Sequence, residues 1–224
     1  MYNKANRQLN TESRMLDIEI VYQDEHMLAV NKPSGLLSVP GRGPDKQDCL
    51  INRLLPHYPN ARIVHRLDMA TSGLILIPLS HEAQVSLGLQ FEKRSMHKSY
   101  CALVDGKLEH DEQLIDLPLI CDWPNRPLQI VDHENGKSAQ TQVKVLSYDQ
   151  DTDCSRLELK PLTGRSHQLR VHMQAIGHPI LGDEFYAPTE IKQKSPRLCL
   201  HAEHLQLLHP VTKTSLSINC PANF

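Results

Sequence analysis

The run from Ile63 to Ile77, Ile-Val-His-Arg-Leu-Asp-Met-Ala-Thr-Ser-Gly-Leu-Ile-Leu-Ile, allows the chain few ways to fold. Both of its ends are apolar and rich in β-branched residues, so the sequence predicts two buried strands with His65 to Ser72 as a polar loop or bulge between them. In extended backbone, residues two apart point the same way. Arg66 and Asp68 then share one side while Leu67 turns into the core. Thr71 and Ser72 have hydroxyls that can satisfy loop backbone groups, and Gly73 permits a turn or a close approach that a side chain would block. Read alone, Arg66 and Asp68 make an exposed ion pair of little energetic worth.

The rest of the chain alternates strands with a few helices. Asp17 to Tyr22 and Met27 to Val30 predict a hairpin, and Pro33-Ser34-Gly35 predicts a turn that leaves Lys32 where a strand ends. Such a lysine is either solvated at a hairpin exit or turned toward a cleft. Cys49 to Leu55 predicts a short helix capped by Asp48, and Ser80 caps a second helix whose Ala83, Leu87 and Phe91 share a face. Lys98 to Gly106 alternates as a strand, with Tyr100 on the side of Ala102 and Val104. Leu108 to Ile130 reads as a loop-rich excursion in which Trp123 either packs or stacks on a ligand, and packing is the expectation. Ser138 to Leu146 and the stretch around Leu157 and Leu159 predict an antiparallel pair.

In Thr163-Gly164-Arg165-Ser166-His167-Gln168-Leu169-Arg170, Thr163 or Ser166 can cap a helix that Gly177 ends, with Leu169, Met173 and Ile176 as its buried stripe. Arg165 then falls in the opening turn, where free N–H groups and the helix dipole favour an anion. Gly177 to Asp183 predicts turn, strand and turn. Arg197 to Ala202 begins a strand running toward Leu208, and a last strand lies near Ser215 to Ile218.

Taken together, His65-Arg66-Leu67-Asp68 with Thr71-Ser72-Gly73-Leu74, Asn31-Lys32-Pro33-Ser34-Gly35, Lys98-x-Tyr100-x-Ala102-x-Val104-x-Gly106 and Gly164-Arg165-Ser166-His167-Gln168-Leu169-Arg170 resemble the motifs of the A-type pseudouridine synthases of the large ribosomal subunit. Most relatives carry threonine where this chain has Ser166. The resemblance implies an α+β fold with a mixed, mainly antiparallel central sheet flanked by helices and loops, and conversion of uridine to pseudouridine in RNA without metal or nucleotide cofactor. It assigns Asp68 as the essential catalytic residue, Tyr100 to the target base, and Leu198 to an apolar wall. Arg165 is implied to keep Asp68 ionised. Arg66 would fill the gap left by an extruded uridine, and Arg165, Arg170 and Lys32 would bind phosphates. The stretch Leu117 to Pro127 also resembles the A-type enzymes, and that likeness implies 23S rRNA and a tRNA anticodon stem-loop as substrates.

Composition sets the outer bounds. With 224 residues, 40% of them hydrophobic, the chain can bury a substantial core. Residues 1–16 are expected to be a loose tail and residues 17–224 the catalytic domain. No run is long and apolar enough to cross a bilayer, and neither a signal peptide nor a transit pattern opens the chain. The six cysteines are scattered singly, which suits reduced thiols in a cytoplasmic protein, and the thirteen histidines lack zinc spacing. A monomer is expected. A net charge of −2 argues against a non-specific polyanion binder, so an RNA substrate requires Lys and Arg to gather locally. Two rival readings remain. A silent RNA-binding module leaves an acid among basic blocks unexplained, and an RNA-directed glycosidase or metal hydrolase lacks its second carboxylate or ligand set.

Overall fold

Strands β1 (Glu19–Gln23) and β2 (Met27–Lys32) form the hairpin that the alternation predicts. Asp24 closes its turn, where the side chain accepts from the main-chain N–H groups of His26 at 2.8 Å and Met27 at 2.9 Å. The structure, a computed structural model, describes residues 18–224, so the expected tail over residues 1–16 lies outside the described residues. The chain divides into two units: the described residues up to His97 together with Ala202–Pro221, and Lys98–His201 together with Ala222–Phe224.

In the first unit, β3 (Ser72–Pro78) pairs antiparallel with β2, and β10 (Leu200–Leu208) follows β3 in the sheet and pairs with β11 (Ser215–Asn219). Every residue of β3 is buried, which is why Leu74 to Ile77 is apolar without alternation. The pleat divides those four side chains between two cores. Ile75 and Ile77 pack with Leu28, Val30 and the short helix α1 (Leu50–Leu54), whereas Leu74 and Leu76 pack with Met27, Ala29, Leu205 and Leu207 against α2 (His81–Glu92). Ser80 caps α2 as expected, its hydroxyl accepting from the Ala83 N–H at 3.1 Å. Gly73 adopts φ +109°, and a Cβ there would lie 2.3 Å from the carbonyl oxygen of Ala202. Only glycine lets β3 approach β10 this closely.

In the second unit, β4 (His97–Asp105), β9 (Cys154–Pro161), β8 (Gln140–Asp149) and β5 (Glu112–Asp116) form an antiparallel sheet in that order. Val143 faces Leu159 and Val145 faces Leu157, the pair that the sequence predicts. A hairpin of β6 (Leu119–Cys121) and β7 (Gln129–Val131) occupies the excursion between β5 and β8. Helix α3 (Gln168–Ala175) packs beside it through Val171, Leu119 and Ala139, and a short α4 (Thr189–Gln193) precedes β10. With few helices and mainly antiparallel strands, the fold is α+β, as the resemblance implies.

Four local expectations give way to tertiary contacts. Ile63 and Val64 lie in no strand; instead the Ile63 carbonyl accepts from the Gln84 side chain at 3.0 Å, and the neighbouring Arg62 N–H donates to the Pro78 carbonyl. Asp48 does not cap α1, because both its oxygens accept from Arg53 at 2.7 Å and Cys49 takes the cap position. Gly177 to Asp183 holds no strand, only a single bridge from Ile180 to Val104. Trp123 is 64% exposed rather than packed. All six cysteines are free thiols, and all but Cys121 are buried like small apolar residues.

Candidate active site

The loop that bears Asp68 belongs to the first unit and is held by the turn after β2. Ser38 both accepts from the Leu67 N–H at 3.2 Å and donates to the Leu67 carbonyl at 2.8 Å. Ser34 donates to the Ala70 carbonyl at 2.7 Å, and the Gly35 N–H donates to the Met69 carbonyl at 2.8 Å. The loop closes on itself where the Thr71 N–H meets the Asp68 carbonyl at 3.1 Å. With Leu67 buried between them, Arg66 is exposed and Asp68 half-buried. The alternation expected from the sequence therefore survives without a strand to impose it. His65 turns inward, where its Nε2 accepts from the Leu76 N–H at 2.8 Å and its ring meets that of Phe91.

Lys32 is fully buried, and its Nζ donates to the carbonyls of Pro33, Leu36 and Met69 at 2.8, 2.8 and 3.1 Å. An ammonium has three protons, and these three carbonyls use them all. Lys32 is therefore neither a solvated lysine nor a phosphate contact: this corrects the role carried over from the resemblance. Burial pushes its pKa down to about 8, while the Asp68 carboxylate acts in the opposite direction by favouring the charged form. A buried cation thus lies within electrostatic reach of the acid.

The second unit holds Tyr100, Arg165, Arg170 and Leu198. Tyr100 is half-buried on β4, opposite Leu159 of β9. Arg165 does not open the helix as expected. Helix α3 starts three residues later, its cap position is His167 in the left-handed region at φ 54°, and neither Thr163 nor Ser166 caps it. The loop is instead organised by Gln168, which is buried. Its Oε1 accepts from the Thr163 hydroxyl at 2.7 Å and the Arg165 N–H at 3.0 Å, and its Nε2 donates to the Gln140 carbonyl and the Thr141 hydroxyl. The Arg165 side chain is half-buried and donates from Nε to the Ser138 carbonyl at 3.1 Å.

Arg170 also departs from the expected phosphate role. It is 3% exposed, bound by two hydrogen bonds of 2.8 and 2.6 Å to the fully buried Asp183, and stacked against the rings of Phe185 and Tyr186. A guanidinium so enclosed serves the fold. Leu198 is 2% exposed, and its segment is gripped by Gly182: at φ +71° a Cβ there would lie 2.0 Å from the Arg197 carbonyl.

Sequence reasoning missed Ser38 and Gln168. Nothing local marks Ser38, which meets Leu67 across 29 positions; Gln168 stands inside the Gly164 to Arg170 motif, but its bond to Gln140, 28 positions away, is not legible there. Among the described residues, no group of three or more His, Cys, Asp or Glu is placed to hold a metal ion, and no helix is long and apolar enough to cross a membrane.

Comparisons with known proteins identify the family. The family model described as RNA pseudouridylate synthase matches residues 26–175. A protein of Yersinia pestis named dual-specificity RNA pseudouridine synthase RluA is 55% identical over 205 residues, covering 92% of this chain and 99% of its own. Its counterpart of the same name in Escherichia coli K12 is 54% identical, covering 92% and 93%. Among solved structures, human RNA pseudouridylate synthase domain containing 1 superposes with a TM-score of 0.78 at 30% identity, covering 92% of this chain and 84% of that one. These likenesses lead to one conclusion: the chain belongs to the RNA pseudouridylate synthase family and is an RNA pseudouridine synthase.

Proposed function

We propose that this enzyme isomerises uridines in 23S rRNA and in a tRNA anticodon stem-loop, with Asp68 as the one essential carboxylate. Support for two substrate classes comes from the dual specificity named in the relatives that share more than half of its residues. Support for Asp68 comes chiefly from its mount: a half-buried acid on a loop whose flanking residues, Leu67, Met69 and Ala70, are each tied by hydrogen bonds to the turn after β2, from Ser38, Gly35 and Ser34 respectively. A carboxylate that must meet a sugar carbon gains most from being held in place beforehand.

In this reading, the bond between N1 of uracil and C1′ breaks, the base turns over, and a bond forms between C5 and C1′. The C5 proton is lost and N1 regains one, so the product is an isomer. Asp68 acts at the sugar. The ring of Tyr100 supports the base, and Leu198 belongs to an apolar wall that keeps water from capturing the sugar. Extrusion of the uridine from a stem or tight loop costs roughly a few kcal/mol, and exposed Arg66 fills the vacated place in the stack. Arg165 contacts RNA phosphate. The enzyme works as a cytoplasmic monomer with no cofactor.

The test is Asp68→Asn. Chemical mapping of pseudouridine in 23S rRNA and in an anticodon stem-loop is expected to find no product, while filter binding finds RNA affinity retained. Undiminished product from the variant refutes the role of Asp68, and free uracil released by the unaltered enzyme refutes isomerisation in favour of hydrolysis.

A further inference from the structure

The chain's only tryptophan stands largely outside the fold. Trp123 is 64% exposed at the tip of the hairpin between β6 and β7, and the Arg126 guanidinium lies 4.8 Å from its ring centre. An indole left in water adds little to folding, while its broad π face beside a guanidinium suits a flat ligand. The turn that presents it is stiff. Asp122 N–H donates to the Leu128 carbonyl at 2.9 Å, Asn125 N–H to the Asp122 carbonyl at 3.1 Å, and Leu128 N–H to the Asn125 carbonyl at 3.1 Å. The Asn125 side chain also donates to the Asp122 carboxylate, and Pro124 and Pro127 restrict the backbone on either side.

This turn is joined to the loop that carries Arg165. The Gln129 N–H donates to the Tyr186 hydroxyl at 3.0 Å, and that hydroxyl meets Nδ1 of His167 at 2.6 Å, two residues beyond Arg165. Tyr186 and Val131 pack on the cluster of Leu119, Ala139 and Val171 that fixes the hairpin to α3. Thus the indole is carried on a firm extension of the segment assigned to RNA phosphate.

We infer that Trp123 and Arg126 form a platform on which an unpaired nucleotide of the RNA substrate stacks, the guanidinium backing the ring and reaching the adjoining phosphate. An indole face accepts any base, whereas a paired base within a helix offers no free face. The ligand is therefore a single-stranded nucleotide flanking the modified site, read without preference for sequence. This inference rests on the enzyme acting on RNA as proposed above.

Because Trp123 is the only tryptophan, its emission reports the contact directly. Full-length enzyme is titrated with a synthetic RNA hairpin bearing an unpaired uridine loop, and in parallel with a blunt RNA duplex of the same composition. Saturable quenching by the hairpin and none by the duplex is expected. Trp123→Ala should raise KM for the hairpin roughly 5- to 150-fold, the loss typical of one stacked base, and Trp123→Phe should restore most of it. Unchanged emission, equal quenching by both RNAs, or an unaltered KM in Trp123→Ala, in an enzyme that forms pseudouridine, overturns the platform. Quenching by the hairpin without pseudouridine in any RNA leaves the platform standing and removes the proposed reaction instead.

Discussion

The ammonium of Lys32, shielded from solvent, donates at 3.1 Å to the carbonyl of Met69, the residue that follows Asp68. One buried cation thereby fixes the backbone beside the acid and places a positive charge within its reach. The cost of that burial is visible in its pKa of about 8 against an ordinary 10.5.

Stability should carry the mark of Lys32 in alkaline solution. Between these two values the unfolded chain holds the lysine proton and the folded chain has released it, so stability rises with pH through this window, by at most about 3 kcal/mol. Cys220, raised to about 11, and Tyr22, raised to about 12, act oppositely, because the folded state keeps their protons longer. Denaturant unfolding of the unaltered protein and of Lys32→Met from pH 7 to 10.5 separates the contributions. The stability difference between them should shift in favour of the unaltered protein as pH rises; a difference independent of pH counts against the assignment.

Two glycines should respond in opposite directions to alanine. Gly73→Ala drives a Cβ into the Ala202 main chain and forces φ +109° on a residue that resists it, so a loss of about 3 kcal/mol or more is expected. Gly88, inside α2, has only a Val64 methyl at 3.9 Å from its would-be Cβ. Gly88→Ala should stabilise by about 0.5–1 kcal/mol. Thermal unfolding of both variants checks the pair.

Arg170→Met leaves Asp183 buried without its partner and should cost about 3–5 kcal/mol of stability. RNA affinity in the folded fraction should keep its salt dependence. Removing a true phosphate contact would lower the slope of log affinity against log salt by about 1, so that slope tells the two roles apart.

Gln168→Leu removes four hydrogen bonds that set the path of the Arg165 loop. KM for RNA should rise about tenfold and the salt slope should fall as it does for Arg165→Ala. If the glutamine works through the arginine, the double variant is no worse than the more damaging single one, as expected for residues acting in one network. Additive losses in steady-state kinetics would show that Gln168 acts elsewhere.

The local pattern of residues was enough to place the β1–β2 hairpin, the Ser80 cap, the β8–β9 pair, the buried strand after Gly73 and the single acid beside Leu67, because each depends on neighbours within a few positions. It could not show that Lys32 and Arg170 lie inside, since a basic side chain reads as exposed until its buried partners are known, and those partners are Met69 and Asp183, 37 and 13 positions away. Nor could it place Trp123 outside, since an indole reads as core until a core fails to reach it. Periodicity records which face of an element is apolar; which polar groups meet across the chain is decided only when backbone donors and acceptors from distant segments must satisfy one another away from water.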